Sequence, residues 1–131
     1  MTFYKQKLER VKKEVFDNQE HLDAVIAIRR YINKNLESEL DLDSLSETHG
    51  ISKYHLIRLF KRYHGITPKQ YIISQRIDKS MELLKTGKSV PQTCFAVGFE
   101  SLGSFSTLFK EKTGMSPHNF RMSNFREATE K

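Results

Sequence analysis

The sequence predicts an all-α fold: two tandem helix-turn-helix subdomains joined by a long connecting helix, about seven helices plus an N-terminal helical extension. Three observations predict it. One stretch occurs twice, since Gly50–Tyr71 (GISKYHLIRLFKRYHGITPKQY) is echoed by Gly98–Phe120 (GFESLGSFSTLFKEKTGMSPHNF). Each copy reads as a capped amphipathic helix, a glycine and a hydroxyl-proline restart. Between the copies lies an uninterrupted helical pattern, Pro68–Lys85. The repeat is tight. Leu59-Phe60-Lys61 answers Leu108-Phe109-Lys110, Gly65 answers Gly114, Thr67-Pro68 answers Ser116-Pro117 and Tyr71 answers Phe120, all at an offset of 49. Upstream of the serine caps the offset is 48 (Gly50 with Gly98, Ser46 with Cys94), so the second copy carries one extra turn residue. Two copies make a tandem pair, too few for a solenoid.

Taken in order, residues 1–22 are helix-prone. Leu8, Val11 and Val15 form a narrow stripe, with Phe3, Tyr4 and Phe16 as extra apolar weight. Asp17-x-x-Glu20 resembles a capping box and predicts a helix boundary there. Two readings stay open for this extension. It packs on the domain or is partly mobile, or positions 8, 11, 15, 18, 22, 25, 29, 32 and 36 form a self-association seam that Asn18 and Arg29 interrupt. His21–Glu37 is the next helix, with Leu22, Val25, Ile26, Ile28, Ile32 and Leu36 on its apolar face. Leu42–His49 is short, with Ser46 at a close-approach position.

Ser52 caps the helix Lys53–Tyr63. Leu56, Leu59, Phe60 and Tyr63 fall on one buried stripe, and Lys53, Tyr54, Ile57, Arg58, Lys61 and Arg62 on the other face. Gly65 ends this helix, and Thr67-Pro68 opens the connecting helix, which buries Tyr71, Ile72, Ile73, Ile77, Met81 and Leu84. Ser89–Val97, with Pro91 near its start, begins the second copy. Ser101 caps Leu102–Thr113, whose Phe105, Leu108 and Phe109 point inward, and Phe99 packs beneath the turn. Ser116-Pro117 opens a last helix to about Arg126, and the tail 127–131 reads as frayed. The subdomains are therefore 1–22 (extension), 23–66 (first helix-turn-helix), 67–86 (connecting helix) and 87–131 (second helix-turn-helix). In such a pair the second helix fits the DNA major groove.

Charge agrees. The chain carries 22 Lys and Arg against 16 Asp and Glu, a formal +6. Seven bases (Lys53, Arg58, Lys61, Arg62, Lys69, Arg76, Lys79) and one acid (Asp78) lie between residues 52 and 79, so 7 − 1 = +6 falls on the first copy. From Glu100 to Lys131 the count is 5 − 4 = +1. A basic helix face can be merely solvated, but on a helix-turn-helix it reads as a phosphate-binding surface. The single cysteine, Cys94, excludes an intrachain disulfide and suits inert packing. No apolar run reaches the ~20 residues of a membrane span and no signal peptide is visible, so the chain is expected in the cytoplasm. The histidines (His21, His49, His55, His64, His118) match no metalloprotease or zinc-finger spacing, and there is no phosphate loop or nucleophile elbow. No catalytic residue, metal or cofactor is expected.

The second copy carries a further pattern. Cys94-Phe95-Ala96-Val97-Gly98-Phe99, then Phe105 through Phe109-Lys110, Gly114, Pro117 and Phe120-Arg121 resembles the closing signature of the AraC/XylS family of bacterial transcription regulators. The match runs from about Val25 to Arg121. It departs from the family pattern at Cys94, where Ala is usual, and at Thr93, where a larger aliphatic is usual; both would loosen packing. About 24 residues precede the match, so the chain resembles the family's single-domain members, though a fragment of a larger regulator fits as well. That resemblance implies a monomer on an asymmetric double-stranded DNA site, no small-molecule effector, and RNA polymerase as a further candidate partner.

The expected reading residues are Tyr54, Ile57 and Arg58. Arg58 is placed to chelate a guanine edge, and Tyr54 and Ile57 to touch thymine methyls. Lys53, Lys61 and Arg62 would hold phosphates. The second recognition helix offers Ser101, Leu102, Gly103, Ser104, Ser106, Thr107 and Lys110, a poorer set suited to phosphate, methyl and shape contacts. Relatives often carry Gln or Arg where Gly103 and Thr107 stand. The first copy should therefore dominate specificity. The alternative is an interaction module that keeps the fold but binds another regulator or RNA polymerase, suggested by Glu100, Glu111 and the poor second helix.

Overall fold

A computed structural model describes the backbone of residues 2–130 and the side chains of residues 4–10, 19 and 21–124. Among these residues the structure is all-helical, with α1 (Thr2–Lys34), α2 (Leu42–Thr48), α3 (Lys53–His64), α4 (Pro68–Lys85), α5 (Val90–Ala96), α6 (Leu102–Thr113) and α7 (Pro117–Glu130). None of these helices is long and apolar enough to cross a membrane. The chain divides into two compact units, Met1–Ile32 with Asp41–Pro68, and Asn33–Leu40 with Lys69–Lys131.

The helix ends follow local chemistry. Asp41 caps α2 by accepting from the Asp43 N–H at 3.0 Å. Ser89 accepts from the Gln92 N–H at 3.2 Å at the start of α5. Ser116 accepts from the Asn119 N–H at 3.1 Å as α7 begins. Each carboxylate or hydroxyl satisfies one of the N–H groups that a helix start leaves without an intrahelical partner.

In the first unit the core is Val25, Ile28 and Ile32 of α1, Leu45 of α2, Ile51 of the turn, and Leu56, Leu59 and Phe60 of α3. Small Ser46 is buried on α2, as its spacing required. In the second unit Ile77, Leu84, Cys94, Val97, Phe99, Phe105 and Phe109 form one cluster, joined by Met81, Leu108 and Phe120. Its aromatic rings chain together, Phe99 to Phe105 at 5.2 Å, Phe105 to Phe109 at 5.7 Å and Phe109 to Phe120 at 5.4 Å between centroids. The last two pairs meet edge to face, the arrangement the ring quadrupole favours.

Three cations, Arg76 and Arg121 half-buried and Lys112 exposed, fasten the second unit. Arg76 of α4 donates from Nε to the Leu36 carbonyl at 2.8 Å and from Nη2 to the Ser38 carbonyl at 2.9 Å. Arg121 of α7 does likewise, from Nη2 to Gly87 at 2.9 Å and from Nε to Lys88 at 3.1 Å. Lys112 of α6 reaches the Ser74 hydroxyl at 2.6 Å, the Ser74 carbonyl at 3.0 Å and Asp78 at 2.7 Å.

Several expectations change. No boundary falls at 17–20: α1 is continuous, because residues 2–34 contain no glycine or proline to stop it. It ends at Lys34 rather than Glu37, where the Ser38 N–H turns back to the Asn35 carbonyl at 3.0 Å. The side chains of Phe3, Val11, Val15, Phe16, Asp17, Asn18 and Glu20 lie outside the described residues, so most of the suggested stripe and seam does too. Tyr63 is 48% exposed, not buried. His64, one turn beyond Phe60, takes the inward place, its ring 4.5 Å from that of Phe60. The backbone of α7 continues to Glu130, past Arg126, for want of any breaker. Thr93 is fully buried, and its hydroxyl has no hydrogen-bond partner among the described residues.

Candidate nucleic-acid interface

The reading candidates stand on α3 because both its ends are fixed. Ser52 has extended backbone and its hydroxyl accepts from the His55 N–H at 3.1 Å. At the other end Gly65 turns left-handed (φ 78°) and its N–H bonds the Lys61 carbonyl at 2.8 Å, a conformation costly for a residue with a Cβ. With Leu56, Leu59 and Phe60 buried, the helix rotation is set.

The outer face is as the periodicity predicted. Lys53, Tyr54, Arg58, Lys61 and Arg62 are exposed, Tyr54 at 70%, while Ile57 is half-buried. No acid occurs in Lys53–His64. The guanidinium carbon of Arg58 sits 5.7 Å from the Tyr54 ring centroid, a cation–π distance. Its Nη2 lies 3.5 Å from His55 Nδ1, at the long end of a hydrogen bond. Lys53 Nζ is 3.4 Å from Asp43 of α2, an exposed pair of little intrinsic strength that a phosphate can displace.

The second candidate helix, α6, is built alike. The Ser101 hydroxyl accepts from the Ser104 N–H at 3.3 Å, and Gly114 (φ 85°) returns its N–H to the Lys110 carbonyl at 2.9 Å. Phe105 and Phe109 are buried. Ser101, Leu102, Gly103, Ser104, Thr107 and Lys110 are exposed and Ser106 half-buried. The predicted residues thus form two outward faces, one on each unit, the first rich in cations and the second nearly neutral.

Sequence reasoning placed Arg76 among the phosphate-binding charges, whereas its guanidinium is spent on two carbonyls and lies 5.9 Å from the Phe99 ring centroid. Burial disfavours its charge, and Glu100 partly offsets this. The signal was available: Ile72, Arg76 and Ser80 share one face of α4 at four-residue spacing, and both neighbours are buried. Lys112 was likewise counted only as charge, and Arg121 as charge and as part of the closing signature. His55 packs on the flank of α3, its ring stacked on His21.

Two short helices, each followed across a glycine turn by a capped helix with a solvent-facing outer side, define a DNA-binding transcription regulator of the double helix-turn-helix class. Residues 45–123 match the family described as "Helix-turn-helix domain". The chain is 36% identical over 99 residues to the multiple antibiotic resistance protein MarA of Escherichia coli (strain K12), covering 75% of this chain and 78% of MarA. It is 38% identical over 103 residues to the bifunctional transcriptional activator/DNA repair enzyme AdaA of Bacillus subtilis (strain 168), of whose length it spans about half (49%, and 78% of this chain). Among solved structures, the DNA-binding domain of AdpA in complex with a target DNA superposes with a TM-score of 0.72 at 25% identity, covering 76% of this chain and 90% of that one. An AraC-type DNA-binding domain protein from Chromobacterium violaceum gives 0.68 at 29% identity, covering 82% and 95%. The chain belongs to the AraC-type helix-turn-helix family, and it is a sequence-specific DNA-binding regulator of transcription.

Proposed function

We propose that the chain binds an asymmetric duplex site as a monomer, with α3 in one major groove and α6 in the next. In this reading the subdomains are residues 23–66 and 87–131, α4 is the spacer between them, and residues 1–22 are an extension. The eighteen residues of α4 span roughly 27 Å at ~1.5 Å each, of the same order as the ~34 Å between successive turns of one duplex face. Arg58 reads a guanine edge, Tyr54 and Ile57 meet thymine methyls, and Lys53, Lys61 and Arg62 hold phosphates. Ser101, Leu102, Gly103, Ser104, Ser106, Thr107 and Lys110 follow the second groove through phosphate, methyl and shape contacts. The protein acts in the cytoplasm as an activator that also meets RNA polymerase, needs no small-molecule effector and catalyses no reaction.

The observation that carries this reading is the acid-free outer face of α3, with Tyr54 and Arg58 exposed on a helix capped at both ends. Site selection from random duplexes, repeated with Arg58→Ala, tests it. The variant should keep its circular dichroism and lose ~1–3 kcal/mol of discrimination at one base pair. Binding of the parent should weaken linearly in log salt. Unchanged selection by Arg58→Ala removes Arg58 from the site, and a parent with no salt-dependent DNA binding returns the interaction-module reading.

A further inference from the structure

The outer face of α3 is tied to α1 by one set of ring contacts. His21 of α1 stacks on His55 of α3, with centroids 5.4 Å apart and planes at 24°. His55 meets the Tyr54 ring edge-on at 5.9 Å and 71°. Its Nδ1 faces Arg58 Nη2 at 3.5 Å, and the Arg58 guanidinium lies over Tyr54 at 5.7 Å. Tyr54, His55 and Arg58 therefore form a triangle of contacts, which His21 joins through His55. His21 and His55 are half-buried at its base, and Tyr54 and Arg58 are exposed at its top.

An exposed arginine samples many rotamers, and fixing one on binding costs affinity unless the free protein has already selected it. His55 can select it in two ways. Nδ1 accepts from the guanidinium when the ring proton is on Nε2, and the ring edge limits where Tyr54 can lie. His55 is itself held by the ring of His21.

We propose that His21 is a positioning residue for base reading: through His55 it holds Tyr54 and Arg58 in the conformation that meets the base edges. The inference rests on the assignment of α3 as the reading helix. It gives residue 21 of the long first helix a part in specificity without contact to DNA.

The test compares the full-length parent with His21→Ala, His21→Phe, Arg58→Ala and the double variant His21→Ala/Arg58→Ala. Each is titrated with the selected duplex, with the same duplex altered at the base pair that Arg58→Ala relaxes, and with unrelated duplex. Thermal melts run alongside. His21→Ala should lower discrimination about threefold to tenfold, the scale of one immobilised side chain, while binding to unrelated duplex stays unchanged. His21→Phe, which keeps a flat ring, should restore most of the loss. In the Arg58→Ala background, His21→Ala should have no further effect. A folded His21→Ala variant with parental discrimination overturns the proposal. So does a loss shared equally by selected and unrelated duplex with a lowered melting temperature, which would make His21 structural only. If Arg58→Ala itself leaves discrimination intact, the base-reading assignment fails first and the positioning role falls with it; if only Arg58→Ala has an effect, the positioning role alone fails.

Discussion

Arg76→Ala separates two accounts of the same cation. By charge counting Arg76 belongs to the DNA-binding surface; by geometry it is a clamp. The substitution removes two hydrogen bonds from a charged donor, to Leu36 at 2.8 Å and Ser38 at 2.9 Å. Such bonds are worth roughly 1.5–3 kcal/mol each, and the exposed position of Ser38 argues for the low end. The contact with the Phe99 ring adds about 0.5–1 kcal/mol. The expected loss is therefore about 3.5–4 kcal/mol, a large share of the stability of a small domain. Urea denaturation followed by circular dichroism should show a lower midpoint at constant slope. Arg76→Lys should recover only part of this, because an ammonium has charge but no planar fork. At a urea-free temperature where Arg76→Ala is folded, the salt dependence of DNA binding should be unchanged. A normal melt with a salt slope shallower by about 0.9, the signature of one lost phosphate contact, would refute the clamp.

Three further outcomes follow from the same contacts. Gly98→Ala should be more damaging than Gly87→Ala: both have positive φ (103° and 94°), but a Cβ at Gly98 would overlap the Leu36 carbonyl and the Arg76 guanidinium, whereas at Gly87 nothing lies within 4 Å. Urea midpoints should rank them so, with at least about 3 kcal/mol lost at Gly98, and equal midpoints would contradict the packing. Thr93→Val should stabilise by about 1 kcal/mol, because it removes a buried hydroxyl without a partner and keeps the shape; a lower melting temperature would mean the hydroxyl is satisfied. Burial, with help from Arg29, holds the His64 imidazole below its ordinary value of 6.5. The unfolded chain thus takes up a proton that the folded chain resists, so this contribution is intact above about pH 6.5 and is lost as pH falls below it. His64→Gln should flatten the change in urea midpoint between pH 7 and 5, and an unaltered profile would place the dependence elsewhere.

The helices with chemical punctuation were legible. Pro68–Lys85 and Leu102–Thr113 are found with their predicted bounds, because a hydroxyl-proline or serine start and a glycine stop each act locally. The first helix was misread because Asp17-x-x-Glu20 is both a capping box and an acceptable helix interior, and nothing else in the stretch decides between them. Tyr63 was misread because a helical stripe gives direction but not how far along the helix the cover reaches. The outward residues of α3 and α6 were legible from periodicity alone. The work of Arg76, Arg121 and Lys112 was not, since a charge count treats a guanidinium folded onto carbonyls and one facing solvent alike. That count also hid the pairing of Asp78, the one acid of the first copy's basic stretch, with Lys112.

The two copies share their scaffold and differ in their outer surface, and the two are physically separable. Arg76 Nη2 bonds the carbonyl of Ser38 and Arg121 Nη2 that of Gly87, in each case a carbonyl of the connection that leads into the short first helix of a copy. The acceptors are 87 − 38 = 49 residues apart, one more than the 48 that relates the copies upstream of their serine caps, and the arginines are 121 − 76 = 45 apart, so a similar clamp is built from positions that do not correspond. The device is repeated even though the residue that supplies it is not. On the outer surface the reverse holds. At the 49-residue offset Lys53 faces Leu102, Tyr54 faces Gly103, Arg58 faces Thr107 and Arg62 faces Glu111, and only Lys61 meets its like in Lys110. Four cations on α3 thus correspond to one cation and one acid on α6. None of these outer positions belongs to the buried core of either copy, so their charge can differ between the copies without altering either core. Equal helices with unequal surfaces suit a site whose halves differ, with one half read by base edges and the other held by its backbone and shape.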